Sequence, residues 1–241
     1  MEVRALTLNT TTPYVWGFVD LKESGPYVFE VPPGGQVRGA VSDMWHIQVM
    51  QMTRAVKYLF VGPYQEVPDG AESEGYIINH SPMNNFFVDI RLMPEGEDAR
   101  MALLDKIKIY PFSDRKNPKK MDHIRPNKEW YTYQPRSMDY WKTLHTSINR
   151  EPVREMDRYY MAMLKKLGFE KGKPFNPDAR QTKILKDALV VGEAMAKAND
   201  FSTRIDKSFY REGSHWDFAT TSSWNQRTEY YQELDGAAAW F

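Results

Sequence analysis

Residues 12–50, TPYVWGFVDLKESGPYVFEVPPGGQVRGAVSDMWHIQVM, constrain the fold more than any other stretch of this chain. Tyr14, Trp16, Phe18 and Asp20 fall on one row of a period-two pattern, and Val15, Gly17, Val19 and Leu21 on the other. Successive strand side chains point to opposite faces, so two largely apolar rows predict a strand covered on both sides or one whose aromatic row lines a cavity. Lys22-Glu23-Ser24-Gly25-Pro26 then supplies turn chemistry, with Gly free to take a positive φ and Pro fixing its own. A second strand is expected over residues 27–31. Pro32-Pro33-Gly34-Gly35 ends it, because proline donates no ladder hydrogen bond and paired glycines favour reversal.

Residues 37–49 read as one long, bulged strand with Val37, Gly39, Val41, Asp43, Trp45, Ile47 and Val49 on one face. Asp43 is the misfit in that row. A carboxylate among apolar neighbours must be hydrogen-bonded, paired or exposed at a bend, and a turn or bulge contact outweighs a ligand contact because Asp so often stabilises turns. Further strands are expected at residues 57–61, 75–79 and 85–93, joined by Gly and Pro loops. Short strands so punctuated predict an antiparallel β sandwich of jelly-roll type over residues 1–93. Neither an alternating βαβ pattern nor a phosphate-binding glycine loop occurs.

At Pro94 the pattern changes, and residues 94–200 read as a helical region, making the chain α+β. A helix is predicted over residues 95–109, then a Pro-rich basic linker over 111–136 containing Arg115-Lys116-Asn117-Pro118-Lys119-Lys120. Ser137 is placed to cap a helix with an apolar stripe of Met138, Trp141, Leu144, His145 and Ile148; His145 there reads as a packed residue rather than a ligand. Residues 153–167 form another helix, ended by Gly168. Asn176 as cap and Pro177 in the first helical position predict a helix to Ala198 that buries Ile184, Ala188, Val191 and Met195. Lys171-Gly172-Lys173 just before it raises an anion-binding reading, in competition with a turn. Residues 201–241 form an aromatic segment ending in Trp240 and Phe241, a pair suited to dock a second jelly-roll domain or a second copy of the chain.

Thirty-two basic residues balance 32 acidic ones, which leaves no global field for nucleic acid. Cysteine is absent, removing disulfides, thiolate nucleophiles and zinc-thiolate sites. No apolar run reaches the ~20 residues of a membrane span, and the first 13 residues lack the apolar core of a signal peptide. His46, His80, His123, His145 and His215 form no metal-binding spacing, so neither metal nor cofactor is expected. No Gly-x-Ser-x-Gly elbow is present. The strand carboxylates Asp20, Asp43 and Asp89 are the remaining acid or base candidates.

Thr10-Thr11-Thr12-Pro13-Tyr14-Val15-Trp16, Phe29-Glu30-Val31-Pro32-Pro33-Gly34 and Lys171-Gly172-Lys173-Pro174-Phe175-Asn176-Pro177-Asp178-Ala179-Arg180 together resemble bacterial proteins with domain of unknown function 1254. The resemblance implies a first jelly roll followed by a helical connector and, in relatives, a second jelly roll called domain of unknown function 1214. It implies a periplasmic or secreted setting too. It carries over no catalytic residue, because the family's function is undefined.

Tyr14, Trp16, Asp20, Asp43, Trp45 and His46 are the candidate ligand-binding residues, read as an aromatic and polar lining in the sandwich. Such linings take ring-shaped or sugar-like ligands by stacking plus a few placed hydrogen bonds. The competing reading is an ordinary aromatic core with both aspartates in turns. Three function classes follow: a ligand-binding or scaffold module, a hydrolase or lyase acting on a small organic or carbohydrate substrate, and an assembly element of a larger protein.

Overall fold

The computed structural model describes residues 3–4, 12–34, 36–124, 130–131, 134–201 and 209–216. Trp240, Phe241 and most of the C-terminal aromatic segment lie outside the described residues. Two compact units divide the chain, Met1–Thr132 and Tyr133–Phe241.

In the first unit the elements run β1 (Val3–Arg4), β2 (Tyr14–Asp20), α1 (Leu21–Ser24), β3 (Tyr27–Glu30), β4 (Val37–Asp43), β5 (Gln48–Met52), β6 (Lys57–Val61), β7 (Tyr76–His80), β8 (Asn85–Leu92), α2 (Glu97–Leu104), β9 (Lys108–Pro111) and β10 (Trp130–Tyr131). One four-stranded sheet has the order β2-β8-β4-β5 and the other β7-β6-β3-β9, while β1 and β10 form a separate two-stranded ribbon. Pairing within the two large sheets is antiparallel except for β6 and β7, which run parallel. That exception follows from the link between them: residues 62–75 cross back to the starting end instead of turning tightly, as parallel neighbours require.

The inner faces of the two sheets share one core. Val19, Val41, Met52, Phe86, Val88 and Ile90 of the first sheet meet Phe29, Tyr58 and Phe60 of the second, with Leu103, Leu104 and Ile107 adding to the same cluster. Phe60 and Phe86 touch with ring centroids 4.9 Å apart. Each fully buried side chain of this size contributes about 1.5–3 kcal/mol relative to exposure, which makes this cluster the main stabiliser of the unit. The second sheet is covered on its other face as well, where Val28, Leu59, Val61 and Tyr110 pack with Ala71, Tyr76 and Phe112. Among the described residues, the first sheet has its core on one side only.

Two expected elements are divided. The single strand over residues 37–49 is a hairpin, β4 and β5, broken by a turn at residues 44–47. The helix over 95–109 stops at Leu104, and Lys108–Pro111 instead pairs with β3. Burial explains the second case: Ile107 and Ile109 join the inner core while Tyr110 points to the opposite one, the two-sided alternation of a strand.

The second unit holds α3 (Met138–Arg150), α4 (Arg158–Lys165) and α5 (Ala179–Phe201) around Ile148, Phe169 and Leu185. Ser137 caps α3, its hydroxyl accepting from the Asp139 amide at 3.2 Å, and Gly168 follows α4 with φ 92°. The start of α5 differs from expectation. Asp178 Oδ1 accepts from the Gln181 amide at 2.7 Å while Gln181 Oε1 accepts from the Asp178 amide at 2.8 Å, a reciprocal capping box that Asn176 is too far back to make. The buried stripe is turned accordingly: Leu185 is fully buried, whereas Val191 and Met195 are exposed.

His145 stacks on Phe175 with centroids 5.4 Å apart and sits beside Asn149, whose Nδ2 is 3.1 Å from its Nε2. Lys171 donates to the carbonyls of Ile148 at 2.8 Å, Asn149 at 2.9 Å and Glu151. An ammonium has three donors, and here each meets a carbonyl at the C-terminal end of α3. Lys173 pairs with Glu170 at 2.9 Å. The Lys-Gly-Lys run therefore caps a helix end instead of cradling an anion.

Candidate functional site

Strand register lays out the outward face of the first sheet as a grid. Tyr14, Trp16, Phe18 and Asp20 of β2 stand opposite Arg91, Asp89, Phe87 and Asn85 of β8. On its other edge β8 sets Arg91, Asp89 and Phe87 opposite Arg38, Ala40 and Ser42 of β4. Ala40 and Ser42 in turn meet Gln51 and Gln48 of β5. The small Ala40 and Ser42 make a low floor, bordered by rings on the β2 side and by amides on the β5 side.

The rings form a continuous row. Centroids of Tyr14 and Trp16 are 6.2 Å apart, those of Trp16 and Phe87 6.2 Å, and those of Phe18 and Phe87 5.1 Å. Trp16 is 37% exposed and Phe18 65%. A sheet with one face in the core ordinarily turns polar residues outward, so a row of exposed rings on that face departs from the alternation that solvation alone would select.

Polar groups are set into this row. The Trp16 indole N–H donates to Asp89 Oδ1 at 2.9 Å, and the Arg91 guanidinium lies 4.8 Å from the Tyr14 ring centroid. Burial among the rings raises the Asp89 pKa above the ordinary carboxylate value, against the Trp16 hydrogen bond and the charges of Arg91 and His46, which lower it. Close approach of β4 to β8 at this point depends on Gly39. Its φ is 156°, and a Cβ there would lie 2.0 Å from the Asp89 carbonyl oxygen.

The six residues singled out in the sequence separate into two groups. Tyr14 and Trp16 stand together on the exposed face, and the His46 ring approaches it edge-on, 6.3 Å from Phe87. Asp20 lies at the end of the same row, where its Oδ1 accepts from the amides of Lys22 at 2.9 Å and Glu23 at 3.4 Å to cap α1. Asp43 is buried, and its Oδ1 accepts from the amides of Trp45 at 2.8 Å and Ile47 at 3.0 Å, closing the β4–β5 turn. Trp45 is half-buried within that turn, and His46 takes a φ of 57° to complete it.

Phe87, Asp89, Arg91 and Arg38 complete the face, and only Asp89 among them is marked by the sequence, as a strand carboxylate. The signal that could find the rest is the alternation of β8, where Phe86, Val88, Ile90 and Leu92 face the core and Phe87, Asp89 and Arg91 face away. Pairing of β2 with β8, 73 residues apart in sequence at Trp16 and Asp89, is what brings them to one place.

Among the described residues, Asp89 stands alone as an acid at the centre of this face. Asp20 is four positions along the paired strands, roughly 13 Å at ~3.3 Å per residue, beyond the separations of about 5–9.5 Å over which two carboxylates share acid and base work. Asp43 points into the turn. Among the described residues no group of three or more His, Asp or Glu could hold a metal ion, and no helix is long and apolar enough to cross a membrane. The arrangement suits stacking and hydrogen bonding.

Residues 2–111 match the model of a family described as protein of unknown function, DUF1254. Among solved structures, the VPA0106 protein from Vibrio parahaemolyticus is similar in fold, with a TM-score of 0.59 and 15% sequence identity. The match covers 80% of this chain and 50% of that one, so the chain spans about half the length of the structure it resembles. No curated protein matches the chain.

Proposed function

We propose that the first unit of this chain, whose residues 2–111 match the model of the DUF1254 family of proteins of unknown function, is a ligand-binding module. The ring row Tyr14, Trp16, Phe87 and Phe18 stacks a ring-shaped ligand, while Asp89 and the amides of Gln48 and Gln51 take hydrogen bonds from its rim. The observation that carries this reading is Asp89 itself: a carboxylate kept among rings at a cost in desolvation, on a face where a polar residue in water would serve solubility equally well. A carboxylate shifted by burial and held by a specific partner, here the Trp16 indole at 2.9 Å, marks a candidate functional site. A bacterial envelope setting belongs to the proposal through the family resemblance, and a second jelly-roll domain or second copy is the further partner it admits.

The test is a thermal-shift and calorimetric screen of ring ligands, spanning neutral sugars, uronates and simple aryl acids, against the wild type, Trp16→Ala and Phe87→Ala. Binding to the wild type, weakened about tenfold or more in both variants while their circular dichroism is unchanged, is the expected result; a stacking contact of about 1.4 kcal/mol corresponds to tenfold. Equal binding by all three proteins removes the face as the site.

A further inference from the structure

We propose that the ligand of this face is a ring bearing a carboxylate, with Arg38 and Arg91 as its anion clamp. This inference rests on the reading of the face as a ligand site. The two arginines are direct cross-strand partners on β4 and β8 and both are exposed on the outer face. Directly opposed side chains have Cβ atoms about 4.5–5.5 Å apart, and like charges so placed repel. Among the described residues no hydrogen bond or ion pair engages Arg38. The Arg91 guanidinium lies over the Tyr14 ring, 4.8 Å from its centroid, on the same outward face.

Asp89 stands one residue pair further along, with Oδ1 engaged by the Trp16 indole. It offsets part of the charge of Arg91, so two guanidinium groups against one carboxylate leave this end of the face net positive by one. A ligand carboxylate accepting from both arginines would relieve their mutual repulsion, and two parallel N–H donors match a planar carboxylate in shape as well as charge. The ring attached to it would then extend over Ala40 and Ser42, the small residues of β4 on this face, and against Trp16 and Phe87. A cationic ligand meets the opposite field. Uronate sugars and aryl carboxylates share this chemistry.

The experiment uses the full chain and matched pairs of probes: trigalacturonate against its methyl ester, and benzoate against benzamide, by isothermal titration with the wild type, Arg38→Gln and Arg91→Gln. At least one acid is expected to bind the wild type about tenfold tighter than its neutral partner, a charge-assisted hydrogen bond being the difference. Arg38→Gln should abolish that preference while changing affinity for the neutral partner by less than twofold. Which acid wins decides between sugar and aryl sources. Neutral partners binding as tightly as the acids overturn the clamp while leaving the stacking face intact; no binding by any of the four probes overturns both. Unfolding by either substitution would show in circular dichroism, and in that case the salt dependence of wild-type acid binding decides, a preference unchanged between low and high salt contradicting the clamp.

Discussion

The Trp16 indole N–H and Asp89 Oδ1 are 2.9 Å apart across the β2–β8 pair, and they couple the ring row to its carboxylate. The bond favours the ionised acid and works against the burial that raises the Asp89 pKa. Trp16→Phe keeps a ring and removes the donor, so the Asp89 pKa is expected to rise further. Carboxyl carbon chemical shifts followed through an acid titration measure it, and an unchanged midpoint would contradict the coupling.

The same shift has a sign for stability. A carboxyl whose folded pKa lies above its unfolded value holds its proton longer in the folded state, so the folded form binds more protons in the window between the two values. Stability contributed by Asp89 therefore falls as pH rises through that window and stays lower above it. Asp89→Asn, which keeps the Oδ1 acceptor, is expected to raise the melting temperature at pH 7 relative to wild type by more than at pH 3. Thermal denaturation at the two pH values checks the difference.

Gly39→Ala places a methyl carbon where 2.0 Å separates it from the Asp89 carbonyl oxygen, at a φ of 156°. Backbone atoms cannot step aside as a side chain can, so β4 must part from β8. A loss of roughly 2–4 kcal/mol is expected from overpacking and backbone strain together, read as a lower denaturant midpoint. Gly25→Ala is a useful comparison, since no atom lies within 4 Å of a Cβ there although φ is 73°.

Asp43→Ala leaves the amides of Trp45 and Ile47 without their carboxylate acceptor in a buried turn. Roughly 2–4 kcal/mol of destabilisation is expected for two such donors. Asp43→Asn retains the acceptor oxygen and should cost less than half as much. Ligand binding by Asp43→Asn should match wild type, because the group faces the turn; a loss of binding with the fold intact would make Asp43 a ligand contact after all.

In the second unit, Lys171→Met removes the ammonium that meets three carbonyls at the end of α3. About 1 kcal/mol is expected from an exposed cap of this kind, seen as faster amide exchange at residues 148–151. Phosphate titration should leave the wild-type signals of Lys171 and Gly172 in place.

Much of the fold was legible because its signals are local. Alternation marked β2, β3, β6, β7 and β8 to within a residue or two, and Ser137 and Gly168 announced their helix ends. What stayed hidden depends on pairing. A period-two reading ran straight through Asp43 because Val41, Asp43, Trp45 and Ile47 keep their spacing across the turn, and only the hydrogen bonds of the carboxylate reveal the reversal. Residues 107–111 carry few enough positions to fit either period. The candidate face was half visible: Tyr14 and Trp16 are its β2 edge, but nothing near them in sequence names Asp89, Phe87 or the Arg38–Arg91 pair. Burial then separated residues that their types had grouped, sending Asp43 into a turn and Trp16 to the surface.

The most direct measurement is the indole N–H resonance of Trp16 in nitrogen-15 spectra, assigned with Trp16→Phe, during titration with methyl β-glucoside, trigalacturonate and benzoate. Binding on the face is expected to move that signal progressively and saturably while the indole of Trp141, bonded to the Leu185 carbonyl in the second unit, stays fixed. A Trp16 signal that remains in place under every one of these ring ligands at millimolar concentration would contradict the assignment of this face as the binding site.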